Sequence, residues 1–427
     1  MAIWRCLKEI IILQRKRRKI NMLIKYEFLK ILRKKSTLIV MAVSLMLTTF
    51  LFGLPIIQYQ FYNQEGVMKG REGIACEKKQ YVDVSLSEKY VTETIAEVQN
   101  LFEHPDNVGY DGNERFLIGD AYWHNIAPRE NLLNMIAKTY DSPNENSAYQ
   151  NLPDLDVTNG ANFYQAMKSK IQMLLNAPSR QLSEEQKAYW GKMADKVNIP
   201  LKYGYYQGWE IIISSFELLM FAILAICIVI APVFSGEYQA RTDAVILSGK
   251  YGKTKLITAK MVSSFLFGIL AFTLHIFVAC GLPLMAFGMD GWDLPVQIAN
   301  TTIPYPFTFL QAAIFSLGII YLVLFAMISL TLLLSSKMRT PYLVLIVLVP
   351  ILFLPMFLVP NGTTGVYNLT LFLLPYRAAM PELGKYISYQ FGSLVLDVFV
   401  VRAILYMILS ALILPFARLG FKKHQVA

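Results

Sequence analysis

Long apolar runs recur along the chain and are separated by polar segments. Six of them have about the length, roughly 20 residues, that a helix needs to cross the hydrocarbon layer of a membrane. The six runs are Thr37–Ile57, Ile211–Phe234, Leu256–Phe287, Gln311–Leu334, Pro341–Val359 and Leu394–Pro415. The pattern predicts six transmembrane helices, and a hydrophobic content of 55% agrees with a membrane protein.

The segment Gln58–Glu210 interrupts this pattern completely. Helical periodicity recurs within it at Ser85–Phe102, Ala161–Asn176 and Leu182–Val197, between turn-rich stretches. About 150 residues is an ordinary domain size. The predicted fold class is therefore an all-α polytopic membrane protein with an α-rich domain inserted between the first two spans.

Charge indicates the orientation of the chain. The net charge is +10, but residues 58–210 carry 15 Lys/Arg and 21 Asp/Glu, and the connections 288–310 and 360–393 contain only Arg377 and Lys385. The other basic residues flank the opposite ends of the spans. The positive-inside rule therefore predicts a plasma-membrane protein with both termini in the cytoplasm and residues 58–210 outside the cell. This segregation argues against a nucleic-acid partner.

The predicted division of the chain follows from these patterns. Residues 1–36 form a cytoplasmic basic arm with an amphipathic helix at 22–35, followed by the first span at 37–57, the extracellular domain at 58–210 and the remaining spans at 211–427. A plain stop-transfer charge cluster is the alternative for residues 22–35. No secretory signal is recognisable at the start. Natural translation can begin at Met1 or at Met22, and the sequence leaves this open.

Two connections between spans have special features. The outer segment 360–393 contains an apolar stretch, Tyr367–Met380, that is too short to cross and is interrupted by Pro375, which favours a re-entrant or interfacial pair of helices. The loop 235–256 is long enough for a separate short helix, with Thr242 as N-cap, Asp243 in its first turn and Gly249 at its end. An ordinary positively charged loop is the alternative.

Two charges lie within the predicted spans. At ~1.5 Å per residue, Glu217 lies about 10 Å and Arg402 about 12 Å from the outer end of its span. Charge inside a span is costly and marks a specific pairing or a function. We therefore predict a Glu217–Arg402 ion pair, with Asp397 as a competing partner; it acts as a clamp between helices or belongs to a translocation path.

The loop after the second span resembles a known element. Glu237, Arg241–Thr242, Ile246–Ser248, Lys250 and the return at Lys255–Lys260 resemble the cytoplasmic loop of ABC-2 type transporter permeases. The order of spans, the 22–35 helix and the 360–393 segment are also similar to that family. The resemblance implies that the loop holds a coupling helix, with Glu237, Arg241, Thr242, Asp243 and Lys250 coupling to a separate ATPase subunit.

The resemblance further implies an exporter with two permease copies, identical or paired, above two ATPase subunits that bind ATP and Mg²⁺. This chain itself shows no catalytic motif, metal-ligand spacing or cofactor site. Gly252-Lys253-Thr254 mimics the end of a P-loop, but residue 247, where the first Gly would stand, is Leu. An ion-coupled transporter and a membrane-anchored sensor or receptor with an extracellular ligand-binding domain are the alternatives.

Overall fold

The computed structural model describes residues 20–112, 114–141 and 148–424. Within these residues the predicted fold class is confirmed, because helices dominate and five are long and apolar enough to cross a membrane. They are Lys35–Gln58, Phe216–Gln239, Gly252–Phe287, Phe309–Lys337 and Val398–Lys422. The fifth predicted span forms a shorter apolar helix of 17 residues, Pro341–Phe357, near the minimum length for a span.

The helices are numbered in chain order. They are α1 (20–32), α2 (Lys35–Gln58), α3 (Gly70–Gln80), α4 (Glu88–Glu103), α5 (Gly119–Asn125), α6 (Glu130–Tyr140), α7 (Phe163–Asn176), α8 (Glu184–Ala194), α9 (Gln207–Ser214), α10 (Met220–Ile230), α11 (Pro232–Gln239), α12 (Asp243–Ser248), α13 (Ile257–Phe287), α14 (Phe309–Lys337), α15 (Pro341–Phe357), α16 (Val366–Leu373), α17 (Pro375–Ala378) and α18 (Val398–Lys422). The strands are β1 (Gln60–Asn63), β2 (Gly66–Lys69), β3 (Val84–Ser85), β4 (Val108–Asp111), β5 (Glu114–Leu117), β6 (Lys202–Tyr203), β7 (Ser388–Phe391) and β8 (Leu394–Asp397).

The segment between α2 and α9 is the inserted domain. Its helices α4, α7 and α8 coincide with the three helical segments predicted from periodicity. The strands form antiparallel pairs that were not predicted: β1 with β2, β4 with β5, and β3 with β6. The β3–β6 pair joins the two ends of the domain, since Val84 lies opposite Tyr203.

The inserted domain packs on one end of the helix bundle, which we call the domain face. We call the opposite end, where residues 235–256 lie, the loop face. On the domain face, α8 contacts the β7–β8 hairpin: the Trp190 indole donates to Ser388 Oγ at 3.2 Å, and the Tyr189 hydroxyl donates to Asp397 Oδ2 at 2.8 Å. Buried apolar residues of the domain and of the bundle form one continuous core.

The second predicted span is not one regular helix. It is divided into α9, a 3₁₀ turn at Phe216–Leu219, α10 and α11. The break before α11 follows from Pro232, which cannot continue the hydrogen-bonded ladder. Ser335 of α14 satisfies the freed groups, since its Oγ accepts from the Phe234 and Ser235 amides at 3.0 Å and donates to the Ala231 carbonyl at 2.6 Å.

The segment 360–393 contains the two short helices expected there, α16 and α17, and part of the unpredicted β7–β8 hairpin. Arg402 in the first turns of α18 is completely buried against this segment. Its guanidinium donates to the carbonyls of Phe372, Arg377 and Met380 at 3.0, 2.9 and 2.9 Å. Arg402 thus caps carbonyl groups at the C-terminal ends of both short helices.

The predicted Glu217–Arg402 ion pair does not form. The carboxylate at ion-pair distance from Arg402 is that of Glu382, at 3.9 Å. Glu217 lies in the 3₁₀ turn that divides the second span. Asp397, the predicted competitor, instead caps α18 through the Phe399 and Val400 amides. Matching depth along two spans could not reveal that three carbonyl groups accept the hydrogen bonds of Arg402 and that Glu382 supplies the carboxylate near it.

Arg402→Met should destabilise the protein because it leaves three buried carbonyl groups without a donor. We expect a loss on the order of 3 kcal/mol, seen as a lower midpoint of thermal unfolding in detergent. Arg418→Met is the matched control, since Arg418 lies on the same helix but is exposed. Equal unfolding midpoints for the two variants would contradict the capping role.

Candidate coupling site on the loop face

A buried carboxylate organises the loop face. Glu237, near the end of α11, is only 8% exposed. Its Oε1 lies 2.7 Å from Lys30 Nζ of α1 and 2.8 Å from Lys260 Nζ of α13, and its Oε2 accepts a hydrogen bond from Thr242 Oγ1 at 2.5 Å. One side chain therefore joins α1, α11, α13 and the start of α12.

Lys260 completes this cluster from the side of α13. It is 2% exposed, and its Nζ also lies 3.2 Å from Glu27 Oε2 and 3.4 Å from the Val233 carbonyl. Two lysines and two glutamates balance in charge; Lys260, Glu27 and Glu237 are largely shielded from solvent, whereas Lys30 is half-exposed. A further bond from Ser263 Oγ to the Ile24 carbonyl, at 2.9 Å, attaches α1 to α13. We call Glu27, Lys30, Glu237 and Lys260 the loop-face ion cluster.

The short helix predicted after the second span is present as α12, and it ends at Gly249 as expected. Thr242 occupies the N-cap position, but its hydroxyl bonds to Glu237 instead of capping α12. The preceding Arg241 has a φ of 53°, the left-handed conformation that reverses the chain here. Tight packing follows at Gly252, where a Cβ atom would lie 1.7 Å from the Ile246 carbonyl oxygen.

One side of α12 is fixed to the bundle and the other is free. Asp243 and Leu247 are buried. Asp243 Oδ2 lies 3.2 Å from Nε2 of His424, a residue just beyond the end of α18, and the His424 ring stacks on Tyr238. The exposed side consists of Ala244, Val245, Ser248, Gly249 and Lys250. Val245 is 75% exposed and presents an apolar side chain on this side of the helix.

The five residues predicted to couple are thus divided by the structure. Glu237 and Thr242 are in direct contact, and Asp243 is buried on the other side of α12, towards His424. Arg241 and Lys250 are exposed and form no ion pair within the described residues. Their role in coupling stays a prediction.

Sequence reasoning missed three partners in this site: Glu27, Lys260 as an ion-pair partner, and His424. A signal existed for the first two. Glu27 and Lys30 are three residues apart, on one face of α1. Lys260 is a charge within the apolar residues of α13, where an unpaired charge is costly. Nothing local in the sequence indicated that α18 would bring His424 to Asp243.

Lys260→Met should destabilise the bundle by about 3–5 kcal/mol, since it leaves Glu27 and Glu237 buried without their shared cation. The double variant Glu237→Gln/Lys260→Met should recover a large part of this loss, because the buried charges are then more nearly balanced. Thermal unfolding of the four combinations measures the coupling energy. Lys253→Met, at an exposed position one turn before α13 begins, is the control. Additive effects of the two substitutions would contradict a shared cluster.

Comparison with known proteins supports one family. The model of the family described as "ABC-2 family transporter protein" matches residues 22–423, nearly the whole chain. No curated protein and no solved structure matches the chain significantly. The family match and the apolar helices agree on a multi-pass membrane protein. The chain belongs to the ABC-2 family of transporter proteins and is a membrane permease of the ABC type.

Proposed function

We propose that this chain is the membrane-spanning permease subunit of an ATP-binding cassette exporter and that α12 receives force from a separate ATPase subunit. The observation that carries the proposal is the construction of α12. Its exposed side is small and partly apolar, whereas its N-terminus bonds to Glu237 of α11 and its buried side contacts His424, just beyond α18. Such a short helix suits docking in a groove of a soluble partner.

The ion cluster explains how a displacement of α12 would reach the bundle. Thr242, which starts α12, bonds to Glu237, and Glu237 is paired with α1 and α13. Separating buried charges in a low-dielectric region is costly. A push on α12 is therefore expected to move α1, α11 and α13 together instead of bending the loop alone.

Charge supports the orientation that this function needs. The loop face carries the basic residues of α1, of residues 250–260 and of the ends of α14 and α18, whereas residues 288–310 and 360–393 of the domain face contain two. The loop face is then cytoplasmic and the inserted domain extracellular. ATP and Mg²⁺ belong to the ATPase subunit, and a second permease copy or paralogue completes the exporter, as is typical of the family.

Replacing Asp243–Leu247 with a Gly/Ser linker of equal length should abolish transport-coupled ATP hydrolysis while the protein still inserts in the membrane. The measurement is ATPase activity and export in vesicles that contain both subunits. The sharper variant is Val245→Glu, which places a charge on the exposed side of α12 and should lower co-purification of the ATPase about tenfold.

The matched control is Val67→Glu. Val67 is also exposed, at 47%, but lies in the β1–β2 hairpin of the inserted domain. Both variants are expected to fold, because neither side chain is buried. Undiminished export by the linker variant, or equal loss of the ATPase in both point variants, would overturn the assignment of α12.

A labelling experiment tests the orientation separately. In a variant without its native cysteines, Tyr110→Cys in the inserted domain should react with a membrane-impermeant maleimide on intact cells, since Tyr110 is 70% exposed. Val245→Cys should react only after the cells are permeabilised. The reverse pattern would place the inserted domain in the cytoplasm and exclude a cytoplasmic partner for α12.

A further inference from the structure

The domain face contains a cavity of about 420 Å³ where the inserted domain meets the end of α2. Six aromatic side chains line it: Tyr59, Phe61, Tyr62, Tyr81, Tyr122 and Tyr203. This volume suits a small organic molecule. We call these six residues, together with Glu77 of α3, the tyrosine cage.

Packing makes the wall of the cage rigid. The ring of Tyr81 stacks on Tyr203 at 5.5 Å and meets Tyr205 edge-on at 5.1 Å and Tyr206 at 6.3 Å. Tyr59 packs edge-on against Phe287 at the end of α13, at 5.3 Å. Stacked and edge-on rings of this kind keep each other in place, so the cage is preformed.

The charge of the cavity is negative. Its one lining cation, Arg129, is already paired with Glu97 at 2.8 Å. Of the two lining carboxylates, Glu130 accepts a hydrogen bond from the Tyr122 hydroxyl at 2.9 Å. The other lining carboxylate, Glu77, forms no ion pair among the described residues, and it also lines an adjoining cavity of about 640 Å³ with Asn131 and Glu210.

Three buried polar atoms lie together beside the cage: Glu77 Oε2, Tyr81 OH and Tyr205 OH. Tyr205 is only 5% exposed, and the hydroxyls of Tyr59 and Tyr205 interact with the Glu77 carboxylate. Neutral hydroxyl groups, and not a cation, therefore hold this carboxylate. Lys78 Nζ lies 5.6 Å from the Tyr205 ring centre and pairs with Asp290.

We propose that the tyrosine cage binds an organic ammonium ion, with the carboxylate of Glu77 opposite its charge and the rings of Tyr81, Tyr203 and Tyr62 around it. Aromatic faces attract such cations, and the attraction is strongest where water is excluded. Metal cations prefer several oxygen ligands in a tight shell, and an aromatic wall does not supply these. This inference goes beyond the proposed function and does not depend on it.

Choline is a suitable probe because it has a neutral analogue of the same shape, 3,3-dimethylbutan-1-ol. Isothermal titration of the full chain in detergent should show choline binding at least tenfold more tightly than the neutral analogue. Sodium chloride, added to the same ionic strength as the choline salt, should not weaken choline binding beyond the effect of electrostatic screening. Equal binding of the two compounds, no binding of either, or full competition by sodium would each overturn the proposal; the second outcome would indicate that water alone occupies the cavity.

Variants identify the groups responsible. Glu77→Gln keeps the shape of the side chain and should weaken choline about tenfold without changing the neutral analogue. Tyr62→Ala removes an exposed ring and should weaken choline several-fold, whereas Tyr81→Phe should bind almost normally because the ring face remains. Glu72→Gln, at an exposed position on the same helix, is the control. Unchanged choline binding by Glu77→Gln would contradict the proposal.

The pH dependence gives an independent test. Burial raises the pKa of Glu77 above its usual range, so its negative charge is lost at a higher pH than for an exposed glutamate. Choline binding should therefore weaken as the pH falls towards that pKa, and Glu77→Gln should remove this dependence. The other titratable or charged groups around it are the hydroxyls of Tyr59, Tyr81 and Tyr205, whose pKa values burial raises, and Glu210, Glu130, Arg129 and Lys78. A binding curve that is flat with pH in the unmodified chain would contradict the role of Glu77.

Discussion

The pairing of Glu237 with Lys260 is the interaction on which the loop face depends. Neither ion can remain buried alone, so the position of α11 relative to α13 is fixed by the need to keep them together. The ammonium of Lys260 has three N–H donors and three oxygen neighbours, from Glu237, Glu27 and Val233. Because one of these neighbours, Glu27, belongs to α1, the contact with Lys260 also sets the position of α1.

The domain face follows the same rule with a different residue. Arg402 has more donors than a lysine and directs three of them to carbonyl groups of residues 372–380. Burial of apolar side chains alone does not favour one neighbouring helix over another in a membrane, because lipid tails are equally apolar; close packing and polar contacts do. Polar contacts at the two ends, and single serines such as Ser335 within the bundle, therefore contribute to the choice of neighbouring helices.

Features that depend on local pattern could be predicted from the sequence. The apolar blocks gave the helices of the bundle, and Asp243 with Gly249 gave both ends of α12, because helix length and capping are local properties. Partners across the chain could not be predicted. Residues in contact are separated along the sequence by 23 positions for Glu237 and Lys260, by 30 for Arg402 and Phe372, and by 198 for Trp190 and Ser388.

The hairpins show a second reason for failure. Strands β1, β2, β4 and β5 have four residues each, too few for alternation to stand out from a polar helical pattern. The tyrosine cage was missed for the same reason that Arg402 was misassigned. Tyr59, Glu77 and Tyr203 come from three separate parts of the chain, and each one alone is typical of ordinary domain residues.

The cage and the ion cluster lie at opposite ends of the bundle, and α13 connects their surroundings. Tyr59 directly follows α2, Tyr205 and Tyr206 directly precede α9, and Phe287 ends α13, the helix that carries Lys260 at its other end. A ligand shifts an equilibrium only if it binds two conformations with different affinity. A cation in the cage would therefore influence α13 only if the distance from Glu77 to the tyrosine rings changes when the loop face moves. Because the rings belong both to the inserted domain and to the ends of the bundle, a shift of α13 relative to that domain would change this distance.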